Sequence, residues 1–160
     1  VLQVADARLD LDVLPNRPDL LSHRGVAREV AAILGGTLRE LPLELSEPLS
    51  ELPALQGDTG VRGAQASVTL HEPAECSRYV AVVIRGVTVS PSPEWLKARL
   101  ESVGLRSISN VVDVTNYVLH GFGQPVHAFD LARLAGRSIH VRRTREGESL
   151  VTLDGVARAL

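Results

Sequence analysis

The sequence has no methionine, a single cysteine and a single lysine, and each scarcity narrows what the chain can be. Cys76 has no second cysteine with which to form an internal disulfide, and it cannot build a cysteine-rich zinc site. Lys97 is the only lysine, so arginine carries almost all the positive charge. Arginine forms bidentate contacts with phosphates and carboxylates, although the codon bias of a GC-rich genome explains the same preference. The missing methionine, with Val1 in first place, predicts an internal segment of a longer protein.

What is present indicates an ordinary globular chain. Of 160 residues, 44% are hydrophobic and 22% are charged, which argues against disorder. The net charge of −2 argues against a nucleic-acid binder that works by bulk positive charge. No stretch reaches the roughly 18 apolar residues of a membrane span. The length fits one domain, or a small domain plus part of another.

The first third of the chain predicts a small unit and a connection. Residues 7–14 alternate apolar and acidic side chains, which predicts a strand. A helix over 22–34 follows, with Ser22 as its N-cap and the glycines at 35–36 as its end. Residues 40–63 are rich in proline and acidic side chains, and they predict a linker that holds at most one short strand.

The remainder predicts a unit that contains several strands. Residues 66–70 form a short strand, and the nearly continuous β-branched run at 78–89 predicts a strand buried on both faces. Strands at 138–144 and 148–153 are expected to pair as a hairpin. Asp154-Gly155 is a strong signal for a further two-residue turn.

Two helices are predicted between these strands. The first ends near Val103, with Ser92 as its N-cap and Pro93 in its first turn. The second covers about 108–120, and its valines predict the buried stripe while Asp113 falls away from it. Asp130 is expected to cap a short helical turn.

The segment 104–130 is unusually polar for one that surrounds an apolar helix, and two interpretations are open. In the structural one, Asn110 and Asp130 are caps, Thr115 bonds back to its own helix, and His127 is a satisfied half-buried histidine. In the functional one, the segment lines a small polar pocket. Its members would be a charge, two directional hydrogen-bonding groups and a group that titrates near neutral pH: Arg106, Thr115, Asn116 and His127. The common phosphate-binding, dinucleotide-binding and zinc-protease motifs are absent from the sequence.

Two motifs in this segment carry a resemblance. The stretches NVVDVTNYVL at 110–119 and GQPVHAFD at 123–130 resemble the editing module of bacterial phenylalanyl-tRNA synthetase β subunits. The stretch PNRPDLLSHRGVARE at 15–29 is similar to the small helical domain that precedes that module. The resemblance implies an α+β fold. Residues 1–39 would end a small winged-helix-like domain, 40–63 would be a linker, and 64–160 would begin the editing module and stop inside it.

The resemblance also implies an activity. In that family an α2β2 ligase of the cytoplasm joins phenylalanine to its tRNA with ATP and Mg²⁺. The α subunit carries the synthetic site. The β subunit binds the tRNA and hydrolyses tyrosine that has been attached to it by mistake. No cofactor or metal is implied for this segment itself.

Carried over to this sequence, the family's editing pocket includes four residues. His127 would hold the aminoacyl ester and the attacking water, Thr115 and Asn116 would hydrogen-bond the amino acid or that water, and Arg106 would meet the 3′-terminal nucleotide. The family's acidic residue for the tyrosine hydroxyl is expected beyond Leu160. Two alternatives stay open: a non-catalytic scaffold for tRNA or for the α subunit, and a free-standing hydrolase of mischarged tRNA.

Overall fold

The computed structural model describes residues 7, 9–39, 66–152 and 154–160. The predicted linker at 40–63 and the short strand within it lie outside these residues. Within them the chain combines three α-helices with four short strands, which confirms the predicted α+β class. The described residues fall into two compact units, one within residues 1–43 and 86–128 and the other within residues 44–85 and 129–160.

The described part of the first unit is helical. A 3₁₀ turn at Pro18–Leu21 leads into α1 (His23–Ile33), and α2 (Glu94–Ser102) and α3 (Asn110–Phe122) follow. Ser22 caps α1 as predicted, since its hydroxyl oxygen accepts a hydrogen bond from the amide of Gly25 at 3.1 Å.

The helices of this unit pack in two pairs. Helix α2 buries Leu96 and Leu100, one turn apart, while packing on α3. Helix α1 also contacts α3, and the ring Nδ1 of His23 lies 2.9 Å from the carbonyl oxygen of His120. Gly123 ends α3 in the left-handed conformation with φ of 77°, which glycine adopts without strain. Helix α3 is therefore the element on which the other two helices pack.

The second unit contains the strands. Strand β1 (Ser67–Leu70) pairs in parallel with β2 (Ser138–Val141), and β3 (Ser149–Val151) pairs antiparallel with β4 (Ala157–Ala159). The β3–β4 turn lies at Asp154-Gly155, as the sequence predicts. The predicted hairpin between 138–144 and 148–153 is wrong, because β2 takes β1 as its partner and β3 takes β4.

Side chains reinforce the β1–β2 pairing. The hydroxyl of Ser67 donates to that of Ser138 at 3.0 Å, and a 3.2 Å hydrogen bond joins the rings of His71 and His140. Each bond links a residue of the β1 side to one of β2, so the two strands are held by side-chain as well as backbone hydrogen bonds.

Two predicted strands do not form. Residues 7 and 9–14 are not in a strand, and Leu9 is 76% exposed. Residues 78–89 are also irregular, and Ile84 in the middle of the run is 76% exposed. A β-branched run supplies only the propensity for a strand, whereas a strand also needs a neighbouring backbone for its hydrogen bonds. Within the described residues, neither segment has such a neighbour.

Two details of the helices also differ from the prediction. The N-cap of α2 is Pro93, and Ser92 directs its hydroxyl elsewhere. On α3, Val114 and Leu119 from the predicted buried stripe are more than a third exposed, while Asp113 is fully buried. The sequence pattern predicts Asp113 on the solvent-exposed face of α3, whereas its side chain lies in the protein interior.

Candidate functional site

The four predicted site residues all lie in the helical unit. Thr115 and Asn116 are successive, half-buried residues in the middle of α3. Arg106 is exposed on the irregular connection of residues 105–109 that leads into this helix, which we call the Arg106 turn, and His127 is exposed on the segment that leaves it. The structure thus brings Thr115 and Asn116 together directly and places the other two on the connections at either end of α3. That all four line one pocket stays a prediction.

The hydroxyl of Thr115 donates a hydrogen bond to the carbonyl oxygen of Val112 at 2.7 Å. This is the back-bond of the structural interpretation. It also fixes the orientation of the hydroxyl group, because its proton is donated to a backbone carbonyl of the helix. The lone pairs of the oxygen remain able to accept from a water or an ammonium group.

Asp113 is a buried group that the sequence did not single out. Its carboxyl oxygen Oδ2 accepts hydrogen bonds from the hydroxyls of Ser92 and Ser107, each at 2.5 Å. Its other oxygen, Oδ1, accepts from the amide of Ile108 at 2.9 Å. A hydrogen bond from a hydroxyl to an ionised carboxylate is charge-assisted. Asp113 therefore joins the start of α2, the turn before α3 and α3 itself.

This network keeps Asp113 ionised. Burial raises the pKa of the Asp113 carboxyl, but hydrogen bonds from two serine hydroxyls and two backbone amides lower it by more. The net result is a pKa below the usual value of an aspartate. A sequence signal was available: a single acidic residue within a valine-rich helix, with serines six and four residues earlier at 107 and 109.

The start of α3 is held by a second polar clamp. Ser109 is its N-cap, and Asn110, which the structural interpretation made a cap, is its first residue. The side chain of Asn110 accepts from the amide of Ser90 at 3.1 Å and donates to the carbonyl of Thr88 at 2.9 Å. The first turn of α3 is thus tied to residues 88–90 as well as to the Asp113 network. Asp130 does cap its turn, accepting from the amide of Ala132 at 3.0 Å.

An aromatic contact joins α2 to α3. Trp95 meets Tyr117 edge to face with ring centroids 5.7 Å apart. Arg99 lies over the Trp95 ring at 5.9 Å and donates to the Tyr117 hydroxyl at 3.0 Å. Tyr117 directly follows Asn116, so this contact helps to fix the rotation of α3 about its axis.

A separate cleft of about 400 Å³ lies between the start of α1 and the end of α3. None of the four predicted site residues lines it. Next to it, Arg17 pairs with Asp19 at 2.9 Å. The residues that line the cleft are Pro18, Asp19, Ser22, Arg24, Gly25, Arg28, Phe122 and Gly123.

Two further properties concern the described residues only. No group of three or more histidine, cysteine, aspartate or glutamate side chains among them is arranged to hold a metal ion. The helices that can be described are too short or too polar for any of them to cross a lipid bilayer.

Comparison with known proteins gives a consistent result. Residues 75–160 match the family model described as "B3/4 domain". Proteins named "Phenylalanine--tRNA ligase beta subunit" are similar over nearly the whole chain. That of Anaeromyxobacter dehalogenans is 50% identical over 159 residues, which are 99% of this chain and 19% of the relative.

Two other relatives of that name agree. The protein of Carboxydothermus hydrogenoformans is 50% identical over 160 residues, covering all of this chain and 18% of the relative. The protein of Porphyromonas gingivalis is 47% identical over 156 residues, covering 98% of this chain and 18% of the relative. The chain thus spans just under a fifth of the length of the curated relatives that it matches.

Proposed function

Because the chain belongs to the B3/4 domain family, we propose that it forms part of the editing site of a phenylalanine–tRNA ligase β subunit. The observation that carries the proposal is the 50% identity with two proteins of that name over 99% or more of this chain. The reaction is hydrolysis of the ester that links tyrosine to the tRNA for phenylalanine.

The physical need for such a site follows from pocket chemistry. A hydrophobic pocket rejects an amino acid that merely adds a hydroxyl only weakly, by about a hundredfold. Tyrosine is phenylalanine with one added hydroxyl. A second, hydrolytic site that removes the wrong product restores accuracy, and this division is well established among aminoacyl-tRNA synthetases.

The geometry of α3 supports the proposed roles. Thr115 has its hydroxyl proton committed to Val112, so its oxygen is set to accept from the substrate ammonium group or from water. Asn116 offers both a donor and an acceptor at the next position. His127 holds the ester and the attacking water, and Arg106 contacts the 3′-terminal nucleotide. Hydrolysis requires that water is positioned against the ester. Proton transfer to His127 would accelerate the reaction further but is not required.

The wider assembly is part of the same proposal. The β subunit acts with an α subunit as an α2β2 enzyme of the cytoplasm, and tRNA is the shared substrate. ATP and Mg²⁺ serve the synthetic reaction on the α subunit. Nothing in the proposed hydrolysis needs a metal from this chain.

The test is deacylation of preformed tyrosyl-tRNA by the assembled enzyme. His127→Ala is expected to slow release of tyrosine by at least about tenfold, and by about 100-fold or more if the ring also transfers a proton. His120→Ala is the matched control, since His120 lies in the last turn of α3 and has no proposed role. Thr115→Val and Asn116→Ala are expected to lower the rate as well.

Two results would contradict the proposal. Deacylation could be unchanged in His127→Ala, or the His120→Ala control could lose as much activity. A binding scaffold predicts that the three site variants hydrolyse tyrosyl-tRNA at the rate of the unsubstituted enzyme. A free-standing hydrolase predicts deacylation of tyrosyl-tRNA by the 160-residue chain alone, whereas the proposal predicts deacylation by the assembled enzyme only.

A further inference from the structure

The Asp113 network connects two parts of the proposed site that the sequence leaves separate. Arg106 lies on the turn before α3, and the next residue, Ser107, donates its hydroxyl to Asp113 Oδ2 at 2.5 Å. The amide of Ile108 donates to Asp113 Oδ1 at 2.9 Å. Two successive residues after Arg106 are therefore anchored to one carboxylate.

That carboxylate belongs to the helix that carries the other part of the site. Asp113 lies two residues before Thr115 and three before Asn116 on α3. It is fully buried, so water does not compete for its hydrogen bonds. The distance between the Arg106 turn and the Thr115–Asn116 pair therefore depends on the Asp113 carboxylate, which belongs to α3 and is hydrogen-bonded by the residues that follow Arg106.

We propose that Asp113 is a positioning residue that sets the distance between Arg106, which binds the 3′-terminal nucleotide, and the α3 groups that hold the aminoacyl ester. The inference rests on the proposed editing function. The ester and the nucleotide are joined covalently in the substrate. If the Arg106 turn is displaced, Arg106 therefore binds the nucleotide more weakly when the ester is correctly placed on α3. Asp113 itself is buried and touches no substrate.

The network provides a matched pair of variants. Ser107→Ala removes the hydroxyl that anchors the Arg106 turn, whereas Ser92→Ala removes an equally short hydrogen bond to the same oxygen from the α2 side. Both variants delete one hydroxyl, so a purely structural role predicts similar effects. A positioning role predicts an effect on substrate binding from Ser107 alone.

The experiment is single-turnover deacylation of tyrosyl-tRNA by the assembled enzyme over a range of enzyme concentrations. Ser107→Ala is expected to raise the half-saturating concentration by about tenfold, the loss that goes with one hydrogen bond to a charged group, with little change in the limiting rate. Ser92→Ala is expected to change it by less than about twofold. Ser107→Thr keeps a hydroxyl and is expected to restore binding.

A double substitution separates action through Arg106 from general damage. Arg106→Ala/Ser107→Ala is expected to bind no more weakly than Arg106→Ala, because the turn has nothing left to position. Additive losses, or equal losses from Ser107→Ala and Ser92→Ala, overturn the inference while leaving the editing function intact. If Arg106→Ala itself leaves deacylation unchanged, the assignment of Arg106 to the editing site is wrong and the inference falls with it.

Discussion

Asp113→Asn is expected to destabilise the protein by about 2 kcal/mol at pH 7. The substitution keeps Oδ1 for the amide of Ile108 but replaces Oδ2, the acceptor of two serine hydroxyls, with an amide nitrogen. A hydrogen bond to a charged group is worth roughly 1.5–3 kcal/mol and a neutral one about 1 kcal/mol. The hydroxyls can rotate to accept from the new amide, so each bond loses about 1 kcal/mol.

The pH dependence has a definite sign. The pKa of Asp113 is lower in the folded protein than in the unfolded chain, so its stabilisation is present above the unfolded value near 4. It is lost as the pH falls through the lower folded value. The difference between the original protein and Asp113→Asn should therefore shrink steadily below about pH 4.

Urea unfolding followed by the fluorescence of Trp95 measures this difference. Trp95 is the only tryptophan, and it packs on Tyr117 across the α2–α3 contact that Asp113 helps to hold. Glu101→Gln on exposed α2 surface is the control and should change stability by less than about 0.5 kcal/mol. A loss below about 0.5 kcal/mol in Asp113→Asn at pH 7, or a loss that grows in acid, would refute the reasoning.

Two further predictions concern other parts of the chain. The pKa of Glu148 is lowered to about 2, chiefly by the hydrogen bond from Arg142, so its stabilisation exists above its ordinary pKa and is lost as the pH falls towards 2. Arg142→Gln should return this pKa towards its ordinary value in a carboxyl NMR titration, and an unmoved midpoint would exclude the ion pair as the cause. Gly25→Ala should destabilise α1 by at least about 2 kcal/mol in thermal unfolding, because the new Cβ would overlap the carbonyl of Asp19. Gly121→Ala, where no described atom lies within 4 Å of the new Cβ, should instead stabilise α3 by about 0.5–1 kcal/mol. Equal changes in stability from the two substitutions would show that the overlap with Asp19 is not the cause.

Features set by neighbours in sequence were predictable. The cap of α1 depends on Ser22 and an amide three residues away, and the β3–β4 turn depends on Asp154-Gly155. In both places the residues that decide the structure lie within one turn. The position of α3 was also predicted, to within two residues at each end.

Features set by distant partners were not predictable from local pattern. Ser92 has the chemistry of an N-cap, yet its hydroxyl bonds a carboxylate 21 residues away. The run at 78–89 has strand propensity, but propensity does not supply a pairing partner. Local pattern favours the pairing of β2 with the next strand in sequence, whereas its partner β1 lies 71 residues earlier.

The candidate site also combines features that local sequence predicts with features that depend on distant residues. The polar density of 104–130 is consistent with both a pocket and satisfied structural groups, and the hydrogen bond from Thr115 to the carbonyl of Val112 agrees with the structural interpretation. The pattern indicates only a charge at Arg106 and a group that titrates near neutral pH at His127, whereas their specific roles in editing are what the resemblance implies. A carboxylate off the apolar stripe is usually solvated, so the pattern does not predict that Asp113 is buried, where the hydroxyls of Ser92 and Ser107 hydrogen-bond it.

The parallel β1–β2 pair has a consequence for synthesis on the ribosome. Ser67 and its partner Ser138 are 71 residues apart, and the α2 and α3 segments are made between them. At roughly 5–20 residues per second, β1 emerges about 4–14 seconds before the strand that completes it. Helices form within microseconds, so α2 and α3 can dock around Leu96 and Leu100 during that wait. During this interval the backbone hydrogen-bonding groups of β1 lack their native partner and can be bound by a chaperone or by another nascent chain.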